Sequence, residues 1–156
     1  MLLLLIIADD FTGALDTGVQ FAAYGAATRV MVKDQVDFAS CDAQVLVVDT
    51  ETRHLPPEKA YQIVEELTRA ACRAGIRYIY KKTDSALRGN IGAELAAVLQ
   101  ASNNRQLPFL PAFPQNGRTT RDGIHYVDGV PVTESPFGVD LSLIHISEPT
   151  RLDVIS

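Results

Sequence analysis

The sequence predicts an α/β fold, in which a mainly parallel sheet carries helices on both faces and the chain ends in a β-hairpin region. Short apolar runs alternate with longer segments whose apolar residues recur at helical spacing, and this alternation is typical of strands joined by helical crossovers. Polar clusters follow several of the predicted strands, and ligands of open parallel sheets bind beyond the carboxyl ends of the strands. We therefore expect a Rossmann-like domain with a site along one edge of its sheet.

Length, composition and charge restrict the class of protein. The chain has 156 residues, of which 47% are hydrophobic, and a formal net charge of −5, which suits one domain with its own core. The acidic balance argues against binding to nucleic acid or to an anionic membrane. The N-terminal apolar run is far shorter than the roughly 20 residues of a membrane span, and it lacks the flanks of a secretory signal. Cys41 and Cys72 show neither metal spacing nor a disulfide framework, so we expect reduced thiols and a cytoplasmic location.

The first half of the chain predicts three strands and two helices. Residues 2–7 form a short apolar block that runs into two aspartates, which predicts a strand buried on both faces. The apolar residues of the next segment recur at helical spacing and precede a glycine suited to a helix end, namely Leu15, Val19, Ala22, Ala23 and Gly25. Residues 28–32 and 44–48 predict the second and third strands. Pro56 and Pro57 suit the start of a second helix, whose inner face and terminal glycine are Tyr61, Val64, Leu67, Ala71 and Gly75.

The second half continues this alternation and then changes character. Residues 76–80 predict a fourth strand, and residues 107–110 predict a further short one. Asn90 suits the cap of a third helix, whose apolar residues are Ile91, Leu95, Val98 and Leu99. Proline and glycine punctuate the chain from Pro111 onward. Residues 126–130 place Asp-Gly between strand-forming residues, which predicts a hairpin.

The first polar cluster, Asp9-Asp-Phe-Thr-Gly13, follows the first predicted strand. Neighbouring strand residues point to opposite faces, so Asp9 and Asp10 are expected to have different roles. One of them can face a ligand while the other accepts the first N–H groups of the helix. The alternative is that both residues only form a turn and a helix cap.

Two phosphate chemistries fit this cluster poorly. Gly13 and Gly18 have the spacing of two glycines in a phosphate loop, but Val19 and Gln20 stand where that loop needs lysine and serine or threonine. A haloacid-type phosphatase needs an Asp-x-Asp pair near its first strand, and adjacent aspartates do not supply it. The phosphate-loop interpretation therefore fails, and the phosphatase interpretation is weakened.

The second polar cluster lies at residues 81–90 and combines cations with an acid, a hydroxyl group and a predicted helix start. Its members are Lys81, Lys82, Asp84, Ser85, Arg88 and Asn90. A helix N-terminus with an arginine nearby suits a carboxylate or a phosphate. Asp84 could accept hydrogen bonds from substrate hydroxyls or take a proton from one. The alternative is a solvated loop in which Asp84 pairs with a lysine or an arginine.

The third polar cluster, residues 111–120, supplies amide, backbone and guanidinium donors in a tight turn around Asn116-Gly-Arg-Thr119. The alternative is an exposed proline-rich loop. His125 is expected to be a hairpin residue and not a catalyst, and His54 either lines the same edge or faces water. Because the three histidines are scattered along the chain, no metal site is predicted.

Together the three segments resemble one family, the four-carbon acid sugar kinases. The resemblance rests on IADDFTGALDTGVQFA, KKTDSALRGNIGAEL and PAFPQNGRTTRDGIHYVDGVPVTESPF, which occur in the order and spacing of the family and cover about residues 2–140. The second and third segments resemble the threonate and erythronate kinase branch more than the oxo-tetronate branch. The resemblance implies an ATP-dependent kinase that phosphorylates the terminal hydroxyl of a four-carbon sugar acid.

Family members have two domains, so the resemblance also implies an incomplete chain. Residues 1–140 correspond to the N-terminal domain, which binds the sugar acid, and the C-terminal domain, which binds ATP and magnesium, is expected to be missing. We expect this part alone to bind a small-molecule sugar acid and to be inactive as a kinase. Residues 141–156 resemble the translated read-through of a sequencing adapter and are interpreted as a non-native tail.

The resemblance places the sugar acid among the three clusters. Asp10 and Asp84 are the candidates for the group that accepts the hydroxyl proton, and Asp10 is favoured because nearby lysines and Arg88 would lower the basicity of Asp84. Arg88 is the candidate for binding the substrate carboxylate. The other substrate-binding candidates are Asp9, Thr12, Lys82, Ser85, Gly89, Asn90, Asn116, Arg118 and Thr119. Two alternatives are a stand-alone domain that binds a small hydroxy acid, and a phosphatase or other hydrolase on a similar sheet.

Overall fold

A computed structural model of the chain describes residues 1–103 and 106–140. Its main layer is a parallel sheet in the order β2-β3-β1-β4, formed by β1 (Leu4–Ala8), β2 (Thr28–Val32), β3 (Val45–Asp49) and β4 (Tyr78–Lys82). The helices of the described residues are α1 (Phe11–Ala23), α2 (Pro57–Arg73) and α3 (Ile91–Ala101). A small antiparallel sheet follows, formed by β5 (Arg118–Arg121), β6 (Ile124–Val127) and β7 (Val130–Pro131). The predicted fold class is confirmed.

The two central strands are buried on both faces, as their continuous apolar runs predict. One face of the sheet packs against α2 and α3 through Leu5, Ile7, Leu46, Val48, Val64, Ala71, Ala97 and Val98. The other face packs against α1 through Ile6, Ala8, Ala14, Val45 and Val47. Each large aliphatic side chain buried in this way contributes about 1.5–3 kcal/mol. Helices therefore cover both faces, and the carboxyl ends of the strands are held at fixed positions.

Helix α1 packs on the sheet through its small residues. Gly13, Ala14 and Gly18 are buried, while Leu15 and Val19, which mark the apolar stripe of the sequence, are 45% and 57% exposed. A Cβ atom added at Gly18 would lie 3.0 Å from Cγ2 of Val30. The glycine therefore allows the helix axis to approach the sheet closely, and the large apolar residues point outward.

The boundaries of β4 differ from the prediction in a way that matters for the site. The strand covers Tyr78–Lys82 instead of residues 76–80, so both lysines belong to the strand and point to opposite faces of the sheet. The predicted strand at residues 107–110 is wrong, because these residues form no strand. Pro108 and Pro111 lack the N–H donors that a strand at this position would use.

Two tight hairpins form the small sheet. The predicted hairpin at residues 126–130 is confirmed, with φ angles of 52° at Asp128 and 82° at Gly129. A second hairpin joins β5 to β6 through Asp122 and Gly123, whose φ angles are 52° and 77°. Positive φ at both central residues is the requirement of a type I′ turn, which Asp-Gly meets.

The interpretation of residues 141–156 as non-native lies outside the described residues. Within residues 1–103 and 106–140, no helix has the length and apolar character needed to cross a membrane.

Candidate functional site

Arg53 joins the polar residues that follow β1, β3 and β4. Its side chain is 9% exposed, and its Nε and Nη2 donate to the two carboxylate oxygens of Asp9 at 2.8 and 3.1 Å. Its Nη1 donates to Asp10 at 2.8 Å, and Asp84 lies 3.9 Å from Nη2. Burial opposes the charge of Arg53, but the hydrogen bonds and charge of Asp9 and the charges of Asp10 and Asp84 raise its pKa above the ordinary value. One permanent cation therefore holds three carboxylates at the sheet edge.

Asp10 caps α1 and also faces the site. Its Oδ1 accepts from the backbone N–H of Gly13 at 3.0 Å, and its Oδ2 accepts from Arg53. A Cβ atom at Gly13 would lie only 2.7 Å from Oδ1 of Asp10, so the glycine makes room for the cap. The Asp10 side chain is 26% exposed, whereas Asp9 is almost fully buried. The two aspartates differ in exposure and in capping, although both bind the same arginine.

Asp84 and Arg88 form a bidentate ion pair. Nε and Nη2 of Arg88 donate to the two carboxylate oxygens of Asp84 at 2.8 and 2.9 Å, and the backbone N–H groups of Ala86 and Arg88 also donate to Oδ2. Burial opposes the ionisation of Asp84, but the hydrogen bonds and charge of Arg88 and the charge of Arg53 outweigh burial and lower the pKa of Asp84. A carboxylate with a lowered pKa is a weaker proton acceptor than an ordinary carboxylate.

The two lysines at the end of β4 do not lie together. The Lys81 ammonium group is 2.7 Å from Glu94 in α3, and both side chains are almost fully buried. Lys82 lies on the opposite face, where its Nζ would be 3.4 Å from a Cβ atom at Gly13 and donates to the carbonyl of Thr83. Lys82 is therefore near the start of α1. Strand alternation turns Lys81 into the core, so it lies apart from Lys82 and Arg88 although the three are close in sequence.

The small antiparallel sheet docks on the loop after β4. His125 lies in β6 and is buried, with Nε2 2.7 Å from the carbonyl oxygen of Ser85 and Nδ1 2.9 Å from the hydroxyl of Thr120. The prediction that His125 is a hairpin residue is confirmed. This contact fixes the hairpin region against residues 84–90.

Phe137 brings two arginines together. The guanidinium carbons of Arg88 and Arg118 lie 5.2 and 5.4 Å from the centroid of the Phe137 ring, within the range of cation–π attraction. Nε of Arg118 is buried and has no hydrogen-bond partner among the described residues. The structure thus places an arginine of the third cluster near an arginine of the second, with donors left for an anion.

Gly89 and Asn90 hold together the loops that carry the ionic cluster around Arg53. The N-cap position of α3 is Asn90, as predicted, but its side chain makes no capping bond. Instead its Nδ2 donates to the carbonyls of Thr52 and Leu55 at 2.9 and 2.8 Å. Gly89 has a φ of 96°, and a Cβ atom there would lie 3.1 Å from Oδ2 of Asp9. Both residues therefore fix the distance between the loops after β3 and β4.

The remaining candidates lie farther from this centre. Thr12 is exposed in the first turn of α1, and Ser85 is half-buried. Thr119 pairs with Tyr126 within the small sheet, and Asn116 is exposed and accepts from Arg118 through its carbonyl. No described contact joins Asn116 or Thr119 to the first two clusters.

Arg53 and Phe137 are the residues that the sequence analysis missed. Arg53 follows a buried strand at the same sheet edge as the predicted clusters, which was an available signal. Phe137 had no such signal, because its role depends on how the hairpin region folds back over residues 84–90.

The hydrolase alternative finds little support in this geometry. Both carboxylate oxygens of Asp9 bind Arg53, so Asp9 is not available as a nucleophile. Within residues 1–103 and 106–140, no group of three or more histidine, cysteine, aspartate or glutamate side chains could hold a metal ion.

Comparison with known proteins finds a matching family and several similar sequences. Residues 4–143 match the family described as a sugar-binding N-terminal domain. Over 138 residues the chain is 43% identical to a D-threonate kinase of Salmonella typhimurium, which covers 88% of this chain and 32% of the relative. It is 40% identical to a D-threonate kinase of Bordetella bronchiseptica, over 86% of this chain and 35% of the relative. The chain spans about a third of the length of these curated relatives.

Solved structures agree with the fold. A Bordetella bronchiseptica protein of 38% sequence identity, crystallised with bound citrate as a domain-swapped dimer, superposes with a TM-score of 0.82. The match covers 90% of this chain and 37% of that one.

Proposed function

The chain belongs to the family of sugar-binding N-terminal domains, and from this premise we propose that it is the sugar-acid-binding part of an ATP-dependent kinase for threonate- or erythronate-type acids. The observation that carries the proposal is the ionic cluster around Arg53, where carboxylates and guanidinium groups from three strand ends converge. A hydroxy acid needs cationic donors for its carboxylate and acceptors for its hydroxyl groups. This sheet edge offers both within one site.

Arg88 and Arg118 are the proposed partners of the substrate carboxylate. Arg88 uses Nε and one Nη2 hydrogen for Asp84, which leaves further guanidinium N–H groups for a ligand. The buried Nε of Arg118 lacks a partner among the described residues. The Bordetella relative was crystallised with bound citrate, which is itself a hydroxy acid.

Asp10 is the proposed acceptor of the hydroxyl proton. It is more exposed than Asp84, at 26% against 11% of the side chain, and it is oriented by Gly13 and Arg53 together. The lowered pKa of Asp84 makes that carboxylate better suited to accepting hydrogen bonds from substrate hydroxyls than to taking a proton.

ATP and magnesium are proposed to bind mainly in the C-terminal part of the full-length kinase. Bound magnesium would supply neutralisation of the phosphate charge. This chain alone is therefore expected to show no kinase activity. We propose a cytoplasmic location for the full-length enzyme.

The proposed roles are tested in the full-length Salmonella D-threonate kinase, at the positions that align with Asp10 and Asp84. The Asp10→Asn equivalent should lose about 10²-fold or more in turnover while acid binding is largely kept, because asparagine retains an oxygen for the α1 cap but cannot accept the hydroxyl proton. The Asp84→Asn equivalent should mainly weaken acid binding. Steady-state kinetics and calorimetry measure the two effects separately. Normal turnover in both variants would place the base elsewhere and remove Asp10 from the mechanism.

A further inference from the structure

A buried polar layer lies directly beneath the ionic cluster around Arg53. Lys81 and Glu94 pair at 2.7 Å with side chains that are 1% and 2% exposed. The Lys81 ammonium group also donates to the carbonyls of Ile7 and Lys82, at 3.3 and 2.8 Å. These carbonyls belong to the ends of β1 and β4, so the pair ties both strand ends to α3. A ligand at the surface cannot reach either group.

Thr52 connects this layer to the loop that carries Arg53. Its hydroxyl donates to Oε1 of Glu94 and lies 2.8 Å from the hydroxyl of Thr50, which in turn donates to the carbonyl of Ala8 at 2.7 Å. Both threonine side chains are fully buried. The residue before Arg53 is thereby anchored to α3 and to the end of β1.

The backbone around Thr52 is held from two further directions. The N–H of Arg53 donates to the carbonyl of Asp9 at 3.2 Å, and the side chain of Asn90 donates to the carbonyl of Thr52. Glu51, the residue before Thr52, has a φ of 50°, which is a strained conformation for a residue other than glycine. The surrounding contacts therefore hold this loop in a backbone conformation that its own residues do not favour.

A buried ion pair is weak evidence of a contribution to stability, since desolvation offsets most of the attraction. Its placement under Arg53 points to a different purpose. We propose that Thr52, held by the Lys81–Glu94 pair, is a positioning residue that fixes the Arg53 guanidinium, and through it Asp9 and Asp10, for binding the sugar acid. This inference rests on the proposed function.

The test compares Thr52→Val with Thr68→Val in the full chain. Valine matches the shape of threonine and removes only the hydroxyl. Thr68 lies in α2, is also fully buried, and its hydroxyl has no hydrogen-bond partner among the described residues. Calorimetric titration with threonate and erythronate, combined with thermal unfolding, should show that Thr52→Val weakens acid binding about 10-fold, while Thr68→Val leaves it unchanged. Thr52→Ser keeps the hydroxyl and should restore the affinity.

A second measurement does not depend on the acid. The Nε–H of Arg53 is hydrogen-bonded to Asp9 at 2.8 Å, so its exchange with solvent, followed by NMR, should be slow in the parent chain. Thr52→Val should accelerate this exchange about 10-fold, and Thr68→Val should not. If the parent chain binds no acid but shows this difference in exchange, the proposed function fails while the positioning role stands. Exchange and affinity that are unchanged by Thr52→Val would overturn the inference.

Discussion

The Asp49 carboxyl group, at the end of β3, is buried without full hydrogen bonding. It is 1% exposed, and its Oδ1 accepts from the backbone N–H of Glu51 at 3.0 Å. Its Oδ2 has no hydrogen-bond partner among the described residues. Burial raises the pKa of Asp49, and the charges of Glu51, Asp10 and Asp9 raise it further. Ionisation of Asp49 therefore costs more free energy in the folded chain than in the unfolded chain.

Asp49→Asn should therefore stabilise the chain at pH 7, by about 1 kcal/mol. The pKa of Asp49 is raised in the folded state, so the carboxyl group contributes free energy of folding that is fully present below the unfolded pKa of about 4. This contribution is lost as the pH rises through the folded pKa. The gain from the asparagine should consequently shrink as the pH falls through the folded pKa, and it should be smallest below the unfolded pKa of about 4. Urea unfolding as a function of pH measures this, with Asp16→Asn, an exposed aspartate of α1, as the control. An equal gain in the free energy of unfolding at all pH values would contradict the raised pKa of Asp49.

Arg88→Lys should weaken binding of threonate or erythronate by about 10-fold or more, because lysine cannot reproduce the fork of the guanidinium group. The change also breaks the bidentate pair with Asp84. Arg69→Lys is a matched control, since Arg69 forms an ion pair of the same i,i+4 spacing with Glu65 on the surface of α2. Calorimetric titration of both variants should show a loss of affinity only for Arg88→Lys. An unchanged affinity would remove Arg88 from the acid site.

At the residue scale, the sequence could identify polar positions but not their partners. Asp10 and Asp84 were found because they follow buried strands. The importance of Arg53 depends on three carboxylates from distant parts of the chain, which no local pattern encodes. The burial of Lys81 was not predicted, because the predicted strand at residues 76–80 ended before both lysines, whereas β4 continues to Lys82 and strand alternation turns Lys81 into the core.

At the element scale, the glycine pattern of α1 is explained by packing and capping. Gly18→Ala should lower the free energy of unfolding by about 1 kcal/mol, because crowding against Val30 and Val47 outweighs the better helix propensity of alanine. Gly92→Ala in α3 is the control, since a Cβ atom there meets nothing within 4 Å, and it should stabilise by up to about 1 kcal/mol. Denaturant unfolding measures both. Equal stability of the two variants would show that the close approach of α1 to the sheet does not contribute to stability.

Element type was predictable where the apolar pattern was strong. Strand β2 matches its predicted range of residues 28–32, and the α2 stripe of Val64 and Ala71 is fully buried. Helix α1 was predicted from a stripe that faces outward, because small residues on its inner face leave no hydrophobic signal. Residues 107–110 are apolar, but Pro108 lacks the backbone N–H that a strand residue donates.

At the scale of the whole molecule, the site exists only after folding. Segments around residues 9–13, 49–55 and 84–90 meet at one sheet edge because the strand order is β2-β3-β1-β4, and the hairpin region closes over them through His125 and Phe137. The sequence predicted the edge, since parallel strands place their carboxyl ends together. It could not predict the docking of the small sheet, which rests on contacts between residues about 40 apart in the chain.

The most direct test of the central claim is calorimetric titration of the full chain with threonate and erythronate, alongside threitol and erythritol as polyols without a carboxylate. We predict saturable binding of at least one acid without ATP, at least about 10-fold tighter than binding of either polyol. The polyols have no carboxylate to accept charge-assisted hydrogen bonds from the guanidinium groups. A folded chain that binds none of the acids, or that binds acids and polyols equally, would contradict the assignment of this sheet edge as a sugar-acid site.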